Sequence, residues 1–219
     1  MKAQQFFVIG AGRFGAGVAT TLYEFGHEVV VVDARETAVK AVMDHVTHAV
    51  VADATNEETL RKLGIANFDT VVVAIGTNLE ANILATVAAK SSGVKRVISK
   101  ATTEQAARVL ERVGADLVVR PEHDMGVRLG QQLASPGIVD AFNLGEVHGV
   151  VEVEAGKKLV GRLDELRLPN RFAVTVIAVN RGGEVTISPG ADYAVREGDR
   201  LVIIGGNAAI AKLRRFLAE

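Results

Sequence analysis

The sequence predicts an α/β protein: a doubly wound parallel sheet followed by a small α+β C-terminal domain. Three observations carry that reading. Short valine- and isoleucine-rich runs alternate with helical stretches over the first two-thirds of the chain. They show little polar alternation, as strands covered on both faces should. The helical stretches between them end in glycine, at Gly26, Gly64, Gly93 and Gly114, the residue that tolerates the left-handed turn closing a helix.

Taken in order, the predicted parallel strands are Gln5–Ile9, Glu28–Asp33, Ala49–Asp53, Thr70–Ile75, Arg96–Ser99 and Asp116–Val119. Thr55-Asn56-Glu57-Glu58 reads as a capping box, so a helix should start after Ala54. Another helix should run from Pro121 to about Ala134. Ser135-Pro136-Gly137 then breaks the pattern. Beyond it come shorter strands, Val147–Glu154, Phe172–Asn180, Glu184–Ser188 and Arg200–Ile204, with turns such as Arg181-Gly182-Gly183 between them. An amphipathic helix over Asn207–Leu217 closes the chain. The expected domains are therefore 1–134 and 135–219.

Composition narrows the function. A chain of 219 residues holds one large domain or two small ones. A net charge of −1 argues against a nucleic-acid partner, which would call for a basic excess. There is no cysteine, which removes disulfide and thiolate chemistry and fits the cytoplasm. The start, MKAQQFFVIG, has too short an apolar run for a signal peptide. No stretch approaches the roughly 18 to 20 apolar residues that cross a bilayer. Any membrane role is expected to come through a partner.

The most informative stretch is Phe7-Val8-Ile9-Gly10-Ala11-Gly12-Arg13-Phe14-Gly15. GxGxxG alone is a weak signal. Here it follows a predicted strand, opens a predicted helix, and leads to a second strand ending in Asp33, the signature of a Rossmann-type nucleotide-binding unit. Gly10 allows the tight turn, Gly12 lets backbone approach a pyrophosphate, and Gly15 permits close helix–strand packing. The free N–H groups at the helix start favour an anion. Asp33 is placed to accept hydrogen bonds from ribose hydroxyls and disfavours a 2′-phosphate despite the neighbouring Arg35. The loop specifies adenosine plus a phosphate chain. It does not distinguish NAD from ATP or ADP.

Machinery for turnover is missing from the pattern. Tyr23 and Tyr193 have no lysine four residues on, and the five histidines are scattered: His45 and His48 flank a predicted helix-to-strand junction, where a solvent-exposed role outweighs a metal site, and His27 and His148 begin strands. There is no P-loop, and the second domain is small for a substrate domain. Binding without an acid–base apparatus points to a sensor and not an enzyme.

Gly10-Ala-Gly-Arg-Phe-Gly15, Asp33, Val51-Ala-Asp-Ala-Thr55, Val73-Ala-Ile-Gly76 and Gly114-Ala-Asp116, followed by Pro121-Glu-His-Asp-Met-Gly126, resemble the regulators of potassium conductance (RCK) family. The likeness is to its KtrA/TrkA-type potassium uptake subunits and covers nearly the whole chain. Ile187-Ser-Pro189 and Glu197-Gly-Asp-Arg-Leu-Val-Ile-Ile-Gly205 are similar to that family's second domain.

The resemblance implies a cytoplasmic regulatory subunit whose dimers build an octameric ring. The ring docks on the inner face of the membrane through a KtrB-like potassium-translocating protein. ATP is expected to favour the conducting state and ADP the closed one, with NAD(H) the alternative ligand. Position by position, Gly10, Gly12, Phe14 and Gly15 form the loop, and Arg13 reaches a phosphate from the neighbouring subunit. Asp33 and Arg35 fall at the ribose side, Asp53, Ala54, Ile75 and Gly76 at the adenine side, and Lys100 at the phosphate side; Ala34, Thr77 and Ala101 are expected to complete the nucleotide-binding set. Glu122 matches an acid holding a divalent cation (Mg or Ca) at the dimer interface; read by itself, it is a helix-start charge. Gly126-Val-Arg-Leu-Gly130 suits a close helix crossing, either on its own sheet or across the dimer. Some relatives bind cyclic di-AMP in the second domain. Here Val174-Thr175-Val176 lacks the expected asparagine, and Leu166-Arg-Leu-Pro-Asn170 departs from the usual spacing.

Overall fold

The structure is a computed structural model describing residues 3–133, 138–144 and 147–218. The chain forms two compact units, Met1–Asp124 and Met125–Glu219. The domain boundary expected at 134/135 lies outside the described residues, as do Ala134 and Ser135-Pro136-Gly137.

The first unit is built from β1 (Gln5–Ile9), α1 (Arg13–Glu24), β2 (Glu28–Asp33), α2 (Glu36–Val42), β3 (His48–Val51), α3 (Glu57–Lys62), β4 (Thr70–Val73), α4 (Leu79–Ser91), β5 (Arg96–Lys100), α5 (Glu104–Arg112) and β6 (Leu117–Val119). Its strands are parallel and ordered β3-β2-β1-β4-β5-β6. Sequence neighbours part company between β1 and β4. That switch point opens a crevice outside the carboxyl ends of the strands, where open α/β sheets bind ligands. Both faces are covered. Phe7, Ile9, Val71, Val73 and Val97 bury with Ala85, Ala88 and Ala89 of α4, while Val8, Val29, Val31 and Val72 bury with Ala19 of α1 and Val42 of α2. This double burial explains the continuous apolar runs in the sequence. Gly26, Gly64, Gly93 and Gly114 all take positive φ.

Several expected boundaries move. Residues 74–75 leave β4 early. The β3 run also stops before Ala52, and Asp53 turns its carboxylate onto Thr55, accepting from its N–H at 2.9 Å and its hydroxyl at 2.7 Å. The capping box is therefore not at Thr55: Asn56 caps α3, its Oδ1 accepting from Thr59 N at 3.1 Å. Asp116 stays outside β6 because its carboxylate accepts from Val97 N and Lys90.

Helix α6 (Pro121–Leu133) begins in the first unit and continues into the second. The second unit then has β7 (Ile138–Leu144), β8 (His148–Glu154), β9 (Gly161–Arg162), α7 (Leu163–Leu166), α8 (Leu168–Phe172), β10 (Val174–Arg181), β11 (Glu184–Ile187), β12 (Ala194–Val195), β13 (Arg200–Gly206) and α9 (Asn207–Ala218). An antiparallel sheet runs β11-β10-β13-β8-β7, and β12 pairs with β9. Its core joins Val151, Val153, Leu201 and Ile203 to Leu168, Ile210 and Leu213. The expected strand from Phe172 begins at Val174 instead, because residues 168–172 close a helix that ends on Ala173 at φ 57°. Strand β7 is absent from the sequence-based expectation.

Candidate nucleotide-binding cleft

The crevice at the switch point is a cleft of about 580 Å³. Gly10, Gly12, Arg13, Phe14, Asp33, Ala34, Arg35, Asp53, Ala54, Ile75, Gly76, Thr77, Lys100 and Glu122 all line it. Two expected residues do not. Gly15 lies against the loop, where a Cβ would collide with the Gly10 carbonyl oxygen. Ala101 is buried in the cluster with Ala106 and Leu110.

The loop is shaped by two glycines in different ways. Gly10 has φ 100°, and a Cβ there would stand 3.2 Å from the Ala74 carbonyl carbon. The turn demands glycine. Gly12 has an ordinary φ of −72°, and nothing lies within 4 Å of where its Cβ would be. The fold does not need glycine at that point, and the space it leaves open belongs to the cleft. Gly12 also begins α1 without any side-chain cap, and no acid sits in the first turn. The first N–H groups of that helix are left for an anion.

At the end of β2, Asp33 is 8% exposed. Burial pushes its carboxyl up. The Arg35 guanidinium and the Arg35 and Ala11 N–H groups outweigh that and hold it below the ordinary carboxylate range. On the other side of the loop, Lys100 at the end of β5 ion-pairs with Glu122 at 2.5 Å; the lysine side chain is 10% exposed and the glutamate 66%. Lys100 Nζ also lies 5.7 Å from the Phe14 ring centre. Its hydrogen bond, with further help from Arg13, holds the Glu122 carboxyl low. One carboxylate engaged by an ammonium does not make a divalent-cation site within a single chain. Among the described residues no group of three or more His, Asp or Glu could hold a metal. Within one chain, the charged partner of Glu122 is the Lys100 ammonium.

Sequence reasoning missed the buried side chains that brace two lining residues of the cleft, Ile75 and Lys100. Asn82, 1% exposed, donates to the Ile75 carbonyl at 2.6 Å and the Lys100 carbonyl at 2.9 Å. One amide ties the loop after β4 to the end of β5. Thr86 donates to Asn82 Oδ1 at 3.3 Å and meets Ser99 Oγ at 2.8 Å. A buried polar group costs stability unless it is bonded, and these are. The available signal was an asparagine on the same helix stripe as Ala85 and Ala89.

Comparison with known proteins agrees with this arrangement. Residues 6–121 match the TrkA-N domain family and residues 150–218 the TrkA-C domain family. The chain is 38% identical over 206 residues to the Ktr system potassium uptake protein A of Bacillus subtilis, covering 94% of this chain and 93% of that protein. A solved structure described as the GsuK channel bound to NAD is similar with TM-score 0.55 and 25% identity, over 100% of this chain and 39% of that one. Another, GsuK bound to ADP, has TM-score 0.52 and 30% identity over 59% of this chain and 34% of that one. This chain thus spans well under half of the GsuK chain. With both domain families in order and a full-length Ktr relative, the chain belongs to the regulator of potassium conductance family, in its KtrA/TrkA-type form.

Proposed function

We propose that this chain is a cytoplasmic, nucleotide-sensing regulatory subunit that forms a ring of dimers and gates a membrane-embedded potassium transporter. The carrying observation is the cleft itself. A buried acid sits at its ribose end, an uncapped helix start with a dispensable glycine lies in the middle, and Arg13 and Lys100 converge on Glu122 at the far end. Two cations around one carboxylate are a charge arrangement that a terminal phosphate competes for. The extra phosphate of ATP takes Lys100 from Glu122 and draws Arg13 of the neighbouring subunit, because forked and charge-assisted bonds to phosphate oxygens are strong. ADP, one phosphate shorter, leaves the pair more nearly intact. A ligand shifts an equilibrium only by its difference in affinity for the two states. This exchange supplies that difference.

The dimer has support of its own. Met125, Val127, Leu129 and Leu133 of α6 are between 47% and 77% exposed, and Gly126 and Gly130 have nothing within 4 Å of a Cβ position. An apolar helix left uncovered with small residues along it suits a second copy of the same helix. Across that dimer Arg13 would report on its neighbour's phosphate. No helix among the described residues is long and apolar enough to cross a membrane; in this reading a separate partner conducts the ion.

NAD(H) sensing is the second reading, favoured by the NAD-bound GsuK neighbour. The cation pair at the phosphate end argues for ATP and ADP over it. Reconstitution with a Ktr-type membrane partner tests the whole reading. Potassium flux should rise with ATP over ADP, and Arg13→Ala should blunt that response. Equal flux with both nucleotides would contradict it, as would a monomer in light scattering at micromolar concentration.

A further inference from the structure

The acid assigned to ribose is already saturated. Asp33 Oδ2 accepts from Ala11 N at 2.8 Å and from Arg35 Nη2 at 3.0 Å; Oδ1 accepts from Arg35 N at 2.8 Å and from Arg35 Nε at 3.1 Å. An ionised carboxylate offers about four lone-pair sites. None remains for a hydroxyl. Two of the donors are backbone groups, one in the glycine loop and one at the start of α2. The other two belong to a side chain that is 65% exposed, against 8% for the carboxylate it covers. Arg35 starts α2 through its backbone alone, and its side chain caps nothing. The guanidinium is held by Asp33 only, among the described residues.

We infer that Arg35 is a specificity-determining residue of the ribose subsite: its fork occupies the acceptor positions that ribose hydroxyls use and must swing out for a ribonucleoside to seat. The inference rests on the nucleotide-binding reading of the cleft. A ribonucleoside brings two vicinal hydroxyls and displaces both arms of the fork. A 2′-deoxynucleoside brings one and lets the fork keep an arm. The wild-type site therefore gains less from the 2′-hydroxyl than a bare Asp33 would. Salt acts in the same direction, because screening loosens an exposed ion pair and leaves an uncharged ligand unaffected.

The test titrates adenosine, 2′-deoxyadenosine and ADP into the full chain by calorimetry, for the wild type, Arg35→Ala and Arg35→Met. The methionine variant keeps the aliphatic stem without the fork. Both variants should bind adenosine roughly two- to fivefold more tightly, the range an exposed ion pair supplies. Their preference for adenosine over 2′-deoxyadenosine should rise. Going from about 0.1 M to about 1 M salt should tighten adenosine in the wild type more than in either variant. Unchanged or weaker adenosine binding in the variants overturns the inference, as does an unchanged ribo-to-deoxyribo preference. If the wild type binds ADP and the variants show no gain, the nucleotide reading stands and Arg35 alone loses its role. If no form binds ADP or adenosine, both fall.

Discussion

The two units each contain an arginine fork on a buried aspartate, and the pairs behave as opposites. In the second unit Arg181 Nε and Nη2 donate to Asp199 at 2.8 and 2.6 Å. Arg181 Nη2 also donates to the Ala194 carbonyl at 2.8 Å, and the guanidinium lies 5.3 Å from the Tyr193 ring centre. Asp199 further accepts from Arg196 N, and its own carbonyl accepts from Ala155 N. The pair therefore locks β10, β12 and the turn before β13 together. In the first unit Arg35 has Asp33 alone, and the carboxylate faces a cleft. The geometry of the bonds is nearly the same. What differs is whether the arginine has other reasons to stay. A carboxylate becomes a staple when its partner is held from several sides, and a binding group when its partner is free to leave.

The largest expected effect sharpens that contrast. Asp199→Ala should lower the stability of the second unit by about 2–3 kcal/mol, the scale for lost hydrogen bonds to a charged group whose partners stay behind. Thermal melting checks it, with nucleotide affinity unchanged. Asp33→Ala should cost nucleotide affinity as well as stability. ATP and ADP should weaken by similar factors, about 1.5–3 kcal/mol, since in its proposed role the acid reads ribose and not phosphate. A loss confined to ATP would break the assignment.

Next comes Arg13→Ala, which should weaken ATP about tenfold more than ADP, because in the proposed mechanism its charge meets the terminal phosphate. An unaltered ATP-to-ADP preference, with flux gating intact, would reduce Arg13 to a local anion clamp.

The smallest effect is in pH. Arg181 holds the Asp199 carboxyl below its ordinary value of 3.8. A folded-state value lowered in this way contributes stability that is fully present above about pH 4. That stability is lost as pH falls through the lower folded value. Asp199→Asn should accordingly flatten the acid limb of the stability curve below about pH 4. An acid limb identical to the wild type's would show that the pair is no staple.

Much of this was legible in the sequence, and the remainder has identifiable causes. The parallel strands read clearly because burial on both faces leaves unbroken apolar runs, and Gly10 and Asp33 read clearly because their spacing is fixed by the turn they build. The capping residue was misplaced by one, since Thr55 and Asn56 are both good caps and only the pull of Asp53 on Thr55 decides between them. Asn82 was invisible because its partners are the carbonyls of Ile75 and Lys100, and any residue type carries a carbonyl. The occupation of Asp33 by Arg35 could not be read either: Asp-Ala-Arg states proximity and says nothing of where the fork points.

Calorimetric titration of ATP, ADP and NADH into the purified chain, alone and in competition, tests nucleotide sensing most directly. ATP and ADP should bind at one shared site, with NADH weaker than both and displaced by either. Tight NADH binding that ATP and ADP fail to displace would contradict that role and hand the cleft to a redox cofactor.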